Sequence, residues 1–215
     1  MVGSCNGLVC LLYSQIRGGI CNPGTGEFLS LPGLREPRFA GWTQVGFGYL
    51  PSTKEYKVVR YSNNLLNGDG EAQGHVDVYT LGSQSGWRGQ ENIPYRFYSS
   101  GLFANGAIHW IRKTGRGRHL VYKIVAYDLP DEKFKYVSSL PFDYDDFDST
   151  SNLDPVGGIF NPVTGEILSL PGLGRDLDLR WRSIGFGYLP STNEYKVVRC
   201  SYTVLNNEWK GHAEV

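Results

Sequence analysis

The feature that most constrains this chain is a long internal repeat. Ile20 to Ser62 reads ICNPGTGEFLSLPGL…GFGYLPSTKEYKVVRYS, and Ile159 to Ser201 reads IFNPVTGEILSLPGL…GFGYLPSTNEYKVVRCS. The two align without a gap, and 28 of the 43 positions are identical. Self-similarity on this scale predicts a unit that cannot bury its own apolar face and must stack against neighbours, as in solenoids, arrays and propellers. Residues 35–41 share almost nothing with 174–180, which marks a loop. Cys21 is answered by Phe160, and Tyr61 by Cys200. Positions that accept either a thiol or an aromatic ring serve packing, not metal ligation or nucleophilic attack.

A shorter grammar recurs through the chain in ICNPGTGEFLSLP, VYTLGSQSGWRGQENIP, AYDLPDEKFKYVSSLP and IFNPVTGEILSLP. Each has a strand end, a polar turn, a second strand and a proline, which is the pattern of a β-hairpin. The hairpins begin near Ile20, Val78, Ala126 and Ile159. Pro23 and Pro162 preset φ for their turns, and Gly26 and Gly165 can take the left-handed conformation. Further strands are predicted at 7–13, 56–62, 75–81, 106–111 and 120–129, where β-branched and aromatic residues concentrate. No segment predicts a helix of three turns. The 28 glycines and 13% aromatic content suit many short strands joined by tight turns. The GFGYLP segments read as turns, because they precede a strand and lack the helix that phosphate cradling needs. The expected fold is all-β, an incomplete propeller-like set of antiparallel blades with hairpins about 50 residues apart.

The spacing breaks once. From Ala126 to Ile159 is too short for a full blade, and 142–158 is acidic and turn-rich with no clear strand pair. The chain therefore divides into a propeller-like region at 1–142, an acidic linker at 143–156, and a partial duplicate at 157–215. His212-Ala213-Glu214-Val215 echoes His75-Val76-Asp77-Val78, so the last strand reads as cut short. Without a closing strand against the first blade, the chain is expected to be a fragment or a partial duplication.

Charge excludes several partners. Lys plus Arg equals Asp plus Glu at 21 each, so no overall field favours nucleic acid or an acidic membrane, and neither is an expected partner. No apolar run approaches the length of a bilayer span. Cys5, Cys10, Cys21 and Cys200 form no C-x-x-C pair, and no N-x-S/T acceptor occurs, which points to a reducing cytoplasmic or nuclear setting. His75, His109, His119 and His212 have no metal-ligand spacing. Asp143, Asp145, Asp146 and Asp148 would suit calcium, but the spacing lacks an EF-hand glycine and terminal Glu, so a solvated loop is preferred. No catalytic residue and no cofactor is expected. The one basic cluster, Arg112, Lys113, Arg116, Arg118 and His119, lies between two strands. It reads as an exposed hairpin tip, with contact to an acidic partner or RNA phosphates as the functional alternative. Trp42 and Trp181 are aligned by the repeat at the end of its variable loop, and serve either as core anchors or as rim contacts. The candidate contact segments are 35–42, 63–74, 112–119 and 174–181, with Arg35, Trp42, Arg112, Lys113, Arg116, Arg118 and Trp181 as the candidate partner-binding residues.

Six motifs stand in order: CNGLVC (5–10), NPGTGEFLSLP (22–32), GFGYLPSTKEYKVVR (46–60), HVDVYTLGSQSGWR (75–88), GLFANGAIHWI (101–111) and VAYDLPDEKF (125–134). Together they resemble the F-box-associated domain of plant F-box proteins, related to kelch-type propellers. The resemblance covers nearly all of 2–142 and resumes at 157–215. It implies a non-catalytic substrate receptor: a helical F-box grips the Skp adaptor of an SCF-type cullin-RING ubiquitin ligase, and the associated domain holds the target protein. No F-box stands between Met1 and the first motif, so adaptor binding requires one upstream. The alternatives are a small-molecule or carbohydrate binder or enzyme on a propeller, and a non-functional truncated product.

Overall fold

The computed structural model describes residues 3–12, 17–33, 43–64, 73–94, 96, 97, 99–114, 121–143, 158–161, 164, 166–169, 179–189, 191–205 and 208–214. Among them every strand pair is antiparallel and there is no helix. The chain forms two compact units, the first of Met1–Ser151 with Pro162–Gly165, the second of Asn152–Asn161 with Glu166–Val215.

The first unit holds three four-stranded meanders. The first contains β1 (Gly3–Cys5), β2 (Leu8–Leu12), β3 (Gly18–Cys21) and β4 (Phe28–Ser30). The second contains β5 (Thr43–Leu50), β6 (Glu55–Asn64), β7 (Gln73–Thr80) and β8 (Arg88–Ile93). The third contains β9 (Leu102–Ala104), β10 (Ala107–Thr114), β11 (Val121–Asp128) and β12 (Lys133–Asp143). The leading strands β1, β5 and β9 lie beside one another, as the inner strands of propeller blades do. The second unit holds β13 (Gly158–Phe160) paired with β14 (Ile167–Ser169), and a sheet of β15 (Leu179–Leu189), β16 (Glu194–Leu205) and β17 (Glu208–Glu214). Among the described residues the expected blade-like, all-β architecture is present.

All four hairpins inferred from the recurring grammar form, as β3–β4, β7–β8, β11–β12 and β13–β14. Their turns follow from local chemistry. Gly26 has φ 75°, and Asn22 Oδ1 accepts the Gly24 N–H at 3.0 Å. Asn6-Gly7 and Asn105-Gly106 have positive φ at both residues, the type I′ geometry that matches strand twist. Gly165 lies outside the described residues.

One expectation is corrected. GFGYL is not a turn but the second half of β5, paired residue for residue with β6 from Gly46↔Val59 to Leu50↔Glu55. The glycines there reflect close approach of the third sheet. A Cβ on Gly46 would meet Ile108, and one on Gly48 would meet Phe103 and Leu129. Glycine within a strand marks such contact.

The second sheet is buried on both faces, and period-two alternation sorts its side chains. Val45, Phe47, Val58 and Tyr79 join Cys10, Ile20 and Leu31 of the first sheet in one core. Val59, Tyr61, Val76 and Val78 join Ile108, Trp110, Val125, Tyr127 and Leu129 of the third sheet in another. Tyr61, Phe97, Trp110 and Phe134 chain through ring contacts, with Tyr61 edge-on to Phe97 at 4.7 Å and Phe97 stacked on Trp110 at 5.2 Å. Tyr61 is thus a packing position, as its replacement by Cys200 in the duplicate implies.

Candidate functional site

Two polar clusters lie inside the first unit. Lys57 is buried; its ammonium donates to the Leu129 carbonyl at 3.0 Å and to Glu132 at 2.8 Å. Arg88 also pairs with Glu132, so one carboxylate on the β11–β12 turn ties two strands of the second sheet to the third. On the opposite face of β6, Arg60 sits directly across from Asp77 and donates to one carboxylate oxygen through Nε at 3.1 Å and Nη2 at 2.6 Å. His75 Nε2 lies 3.1 Å from the other oxygen. Sequence reasoning passed over both clusters. Their signal was charged residues set within apolar strands, Lys57 and Arg60 in YKVVRYS and Asp77 in HVDVYT. No nucleophile is placed beside either cluster among the described contacts, and their chemistry is that of satisfied internal ion pairs.

Other ionisable groups are shaped by packing. Burial pushes the Cys10 thiol up to about 12, which suppresses its thiolate. Burial lowers the pKa of His109, against backbone hydrogen bonding at Leu102 and Ala107 that raises it. Among the described residues no group of three or more His, Cys, Asp and Glu could hold a metal ion. Of the acidic run, only Asp143 falls within them, at the end of β12.

The strongest surface candidate is the outer end of the β10–β11 hairpin. Arg112, Lys113 and Thr114 extend β10 instead of starting the tip, because the register continues through Arg112↔Lys123, Lys113↔Tyr122 and Thr114↔Val121. Thr114 Oγ1 donates to the Val121 carbonyl, and Phe97 bridges to Arg112 from the other side. Arg112 is half-buried and shares a register position with Lys123, whose ammonium lies 5.7 Å from the centre of the Tyr136 ring. Arg112 and Lys123 thus set two cations beside the exposed Tyr136 on adjacent strands, a basic, aromatic strip.

The other predicted site residues are not brought to this strip by any described contact. Arg35, Trp42, Arg116 and Arg118, with His119, lie outside the described residues. Trp181 lies in β15, opposite Tyr202 at an irregularity in the register. Of the segments 63–74 and 174–181, residues 63, 64, 73 and 74 are strand, as are 179–181.

Comparison with known proteins gives the arrangement its family. The F-box associated beta propeller domain matches residues 1–151. An F-box protein of Arabidopsis thaliana is 34% identical over 159 residues, spanning 64% of this chain and 38% of that protein. F-box protein DOR of the same species is 35% identical over 151 residues, spanning 65% of this chain and 37% of its own. A third Arabidopsis relative, 28% identical over 213 residues, spans 95% of this chain and 57% of its own length. The chain thus covers between about a third and just over half of the relatives it matches. With the meander blades, their stacked leading strands and this match across most of the sequence, the chain belongs to the F-box-associated β-propeller domain family.

Proposed function

We propose that this chain is a non-catalytic recognition domain that holds a target protein for an SCF-type cullin-RING ubiquitin ligase. Family membership supports receptor function, and the basic strip of Arg112, Lys123 and Tyr136 is the observation that carries target binding. Cations next to an exposed aromatic ring on adjacent strands suit an acidic patch on a protein. In this reading Lys113 follows the strip along β10, and Arg35, Trp42, Arg116, Arg118 and Trp181 are further candidate partner-binding residues. The Skp adaptor is engaged only through an F-box preceding this chain. Ubiquitin transfer takes place on other subunits, and the working compartment is the cytoplasm or nucleus.

The test is affinity capture from plant extract with the wild-type chain and with R112E/K123E, compared by quantitative mass spectrometry at two salt concentrations. The reading expects a set of proteins lost from the variant and weakened by salt. An unchanged set, with the variant's unfolding transition intact, would remove the strip from target binding.

A further inference from the structure

The second unit carries an aromatic ladder whose counterpart in the first unit is occupied. In the first unit Phe47 stacks on Tyr56 at 5.8 Å and 13°, and Tyr49 tilts against Tyr56 at 4.6 Å and 42°. The β1–β2 hairpin sits on this ladder. Asn6 Nδ2 donates to the Tyr56 hydroxyl at 2.7 Å, Gly3 lies against Phe47, and Cys5 and Leu8 pack on the core that contains Phe47. The turn of that hairpin is Asn6-Gly7, the type I′ pair described above.

In the second unit Phe186, Tyr188 and Tyr195 repeat the ladder at the same register, Phe186↔Val197 and Tyr188↔Tyr195 matching Phe47↔Val58 and Tyr49↔Tyr56. The rings are already arranged. Phe186 stacks on Tyr195 at 5.5 Å and 2°, and Tyr188 meets Tyr195 at 4.8 Å and 40°. The Tyr188 hydroxyl donates to Asn193 Oδ1 at 2.8 Å, which restrains that ring. Yet Phe186 is 55% exposed and Tyr195 67%, whereas Phe47 is 1% exposed. A ladder ordered before binding loses little rotamer freedom when covered, which favours association.

We propose that Phe186, Tyr188 and Tyr195 form a docking site for a β-hairpin with an Asn-Gly turn flanked by small and apolar residues, presented by another protein. Among the described residues there are two such ladders and two Asn-Gly hairpins, and both hairpins are engaged within the first unit: β1–β2 by Phe47 and Tyr56, and β9–β10 by packing of Phe103 and Ile108 against the second sheet. The bound hairpin lays its first strand beside β15 over Phe186, and its Asn amide donates to the Tyr195 hydroxyl. This mode reuses ordinary inter-blade packing as recognition, and it rests on the repeat alone, independent of the basic strip.

The probe is a backbone-cyclised peptide carrying Gly3–Leu12, titrated under reducing conditions into the full chain and followed by calorimetry and amide NMR. Saturable binding is expected, with shifts in β15 and β16. Tyr195→Phe keeps the ring stack and removes the hydroxyl, so affinity should fall about two- to tenfold, the worth of one hydrogen bond. Asn6→Ala in the peptide should give a similar loss, and Phe186→Ala a larger one. Absence of binding, or binding indifferent to Y195F and F186A, overturns the proposal. Dimerisation abolished by F186A in a chain that ignores the peptide would assign the ladder to a second copy, and would overturn it equally.

Discussion

Replacing Gly48 with alanine, beside the same change at its repeat partner Gly187, tests the idea that sheet contact sets the strand glycines. A Cβ on Gly48 would lie 2.7 Å from Leu129 Cδ1 and 2.8 Å from Phe103 Cε2. Carbon atoms pack best at about 3.5–4.0 Å, so these groups must retreat by close to 1 Å. Leu129 is fully buried and has little room to move. Overpacking of this kind typically destabilises by about 1–3 kcal/mol. Removing a strand glycine returns about 0.5–1 kcal/mol through backbone entropy. The net expectation for G48A is a loss of about 0.5–2 kcal/mol, a drop of roughly 2–6 °C in the melting temperature of a unit this size. At Gly187 a Cβ meets nothing within 4 Å, so only the entropy gain applies and G187A should stabilise the second unit slightly. Urea unfolding of the two variants, followed by near-UV circular dichroism, compares the signs directly. If G48A is as stable as the parent chain, close blade packing does not explain the glycine.

Other outcomes follow from named contacts. Glu132→Ala leaves Lys57 buried without its carboxylate and should lower stability by about 3 kcal/mol, whereas K57M/E132L, which removes the buried pair and leaves only the more exposed Arg88 without Glu132, should come closer to the parent in chemical denaturation. Tyr56→Phe removes the bond from Asn6 and should weaken the first unit by about 1 kcal/mol, while unliganded Y195F should unfold like the parent in the same assay. Because burial depresses the His109 pKa, the unfolded chain takes up a proton near pH 6.5 that the folded chain refuses. Its contribution is therefore present above that pH and is lost as pH falls from there through the folded value. Unfolding titrations between pH 7 and 5 should show the parent losing stability faster than His109→Asn, and equal slopes would contradict this. Asp128 behaves differently: burial, which raises its pKa, is outweighed by Lys135 and the Asp131 N–H. Its contribution persists above the ordinary carboxylate pKa and is lost as pH falls through the lowered value, so it does not mimic the histidine between pH 7 and 5.

Much of the architecture was legible because it is written in local periodicity. Alternating residues in YKVVRYS and HVDVYT, with Pro-x-x-Gly turns in the duplicated hairpins, specify strands and turns whatever surrounds them. The repeat supplied the blade-like plan, and six ordered motifs supplied the family. GFGYL was misread for an instructive reason. Glycines that loosen a turn and glycines that admit a neighbouring sheet look alike in one dimension, and only Ile108, Phe103 and Leu129, more than 50 residues away, tell them apart. Likewise the strand boundary at Arg112 was set too early, since three polar residues in a row look like a tip until Tyr122 and Val121 are seen opposite them.

The sequence by itself determined the hairpins of the recurring grammar, the duplication and the membership of a propeller family, because each depends on chemistry within a few residues or on similarity along the chain. The tertiary structure alone decided what the duplicated residues do. Phe47 is buried in one copy and Phe186 exposed in the other, although Gly-Phe-Gly-Tyr-Leu is identical in both. Burial depends on what packs against a face, and packing partners distant in sequence are fixed only when the sheets assemble.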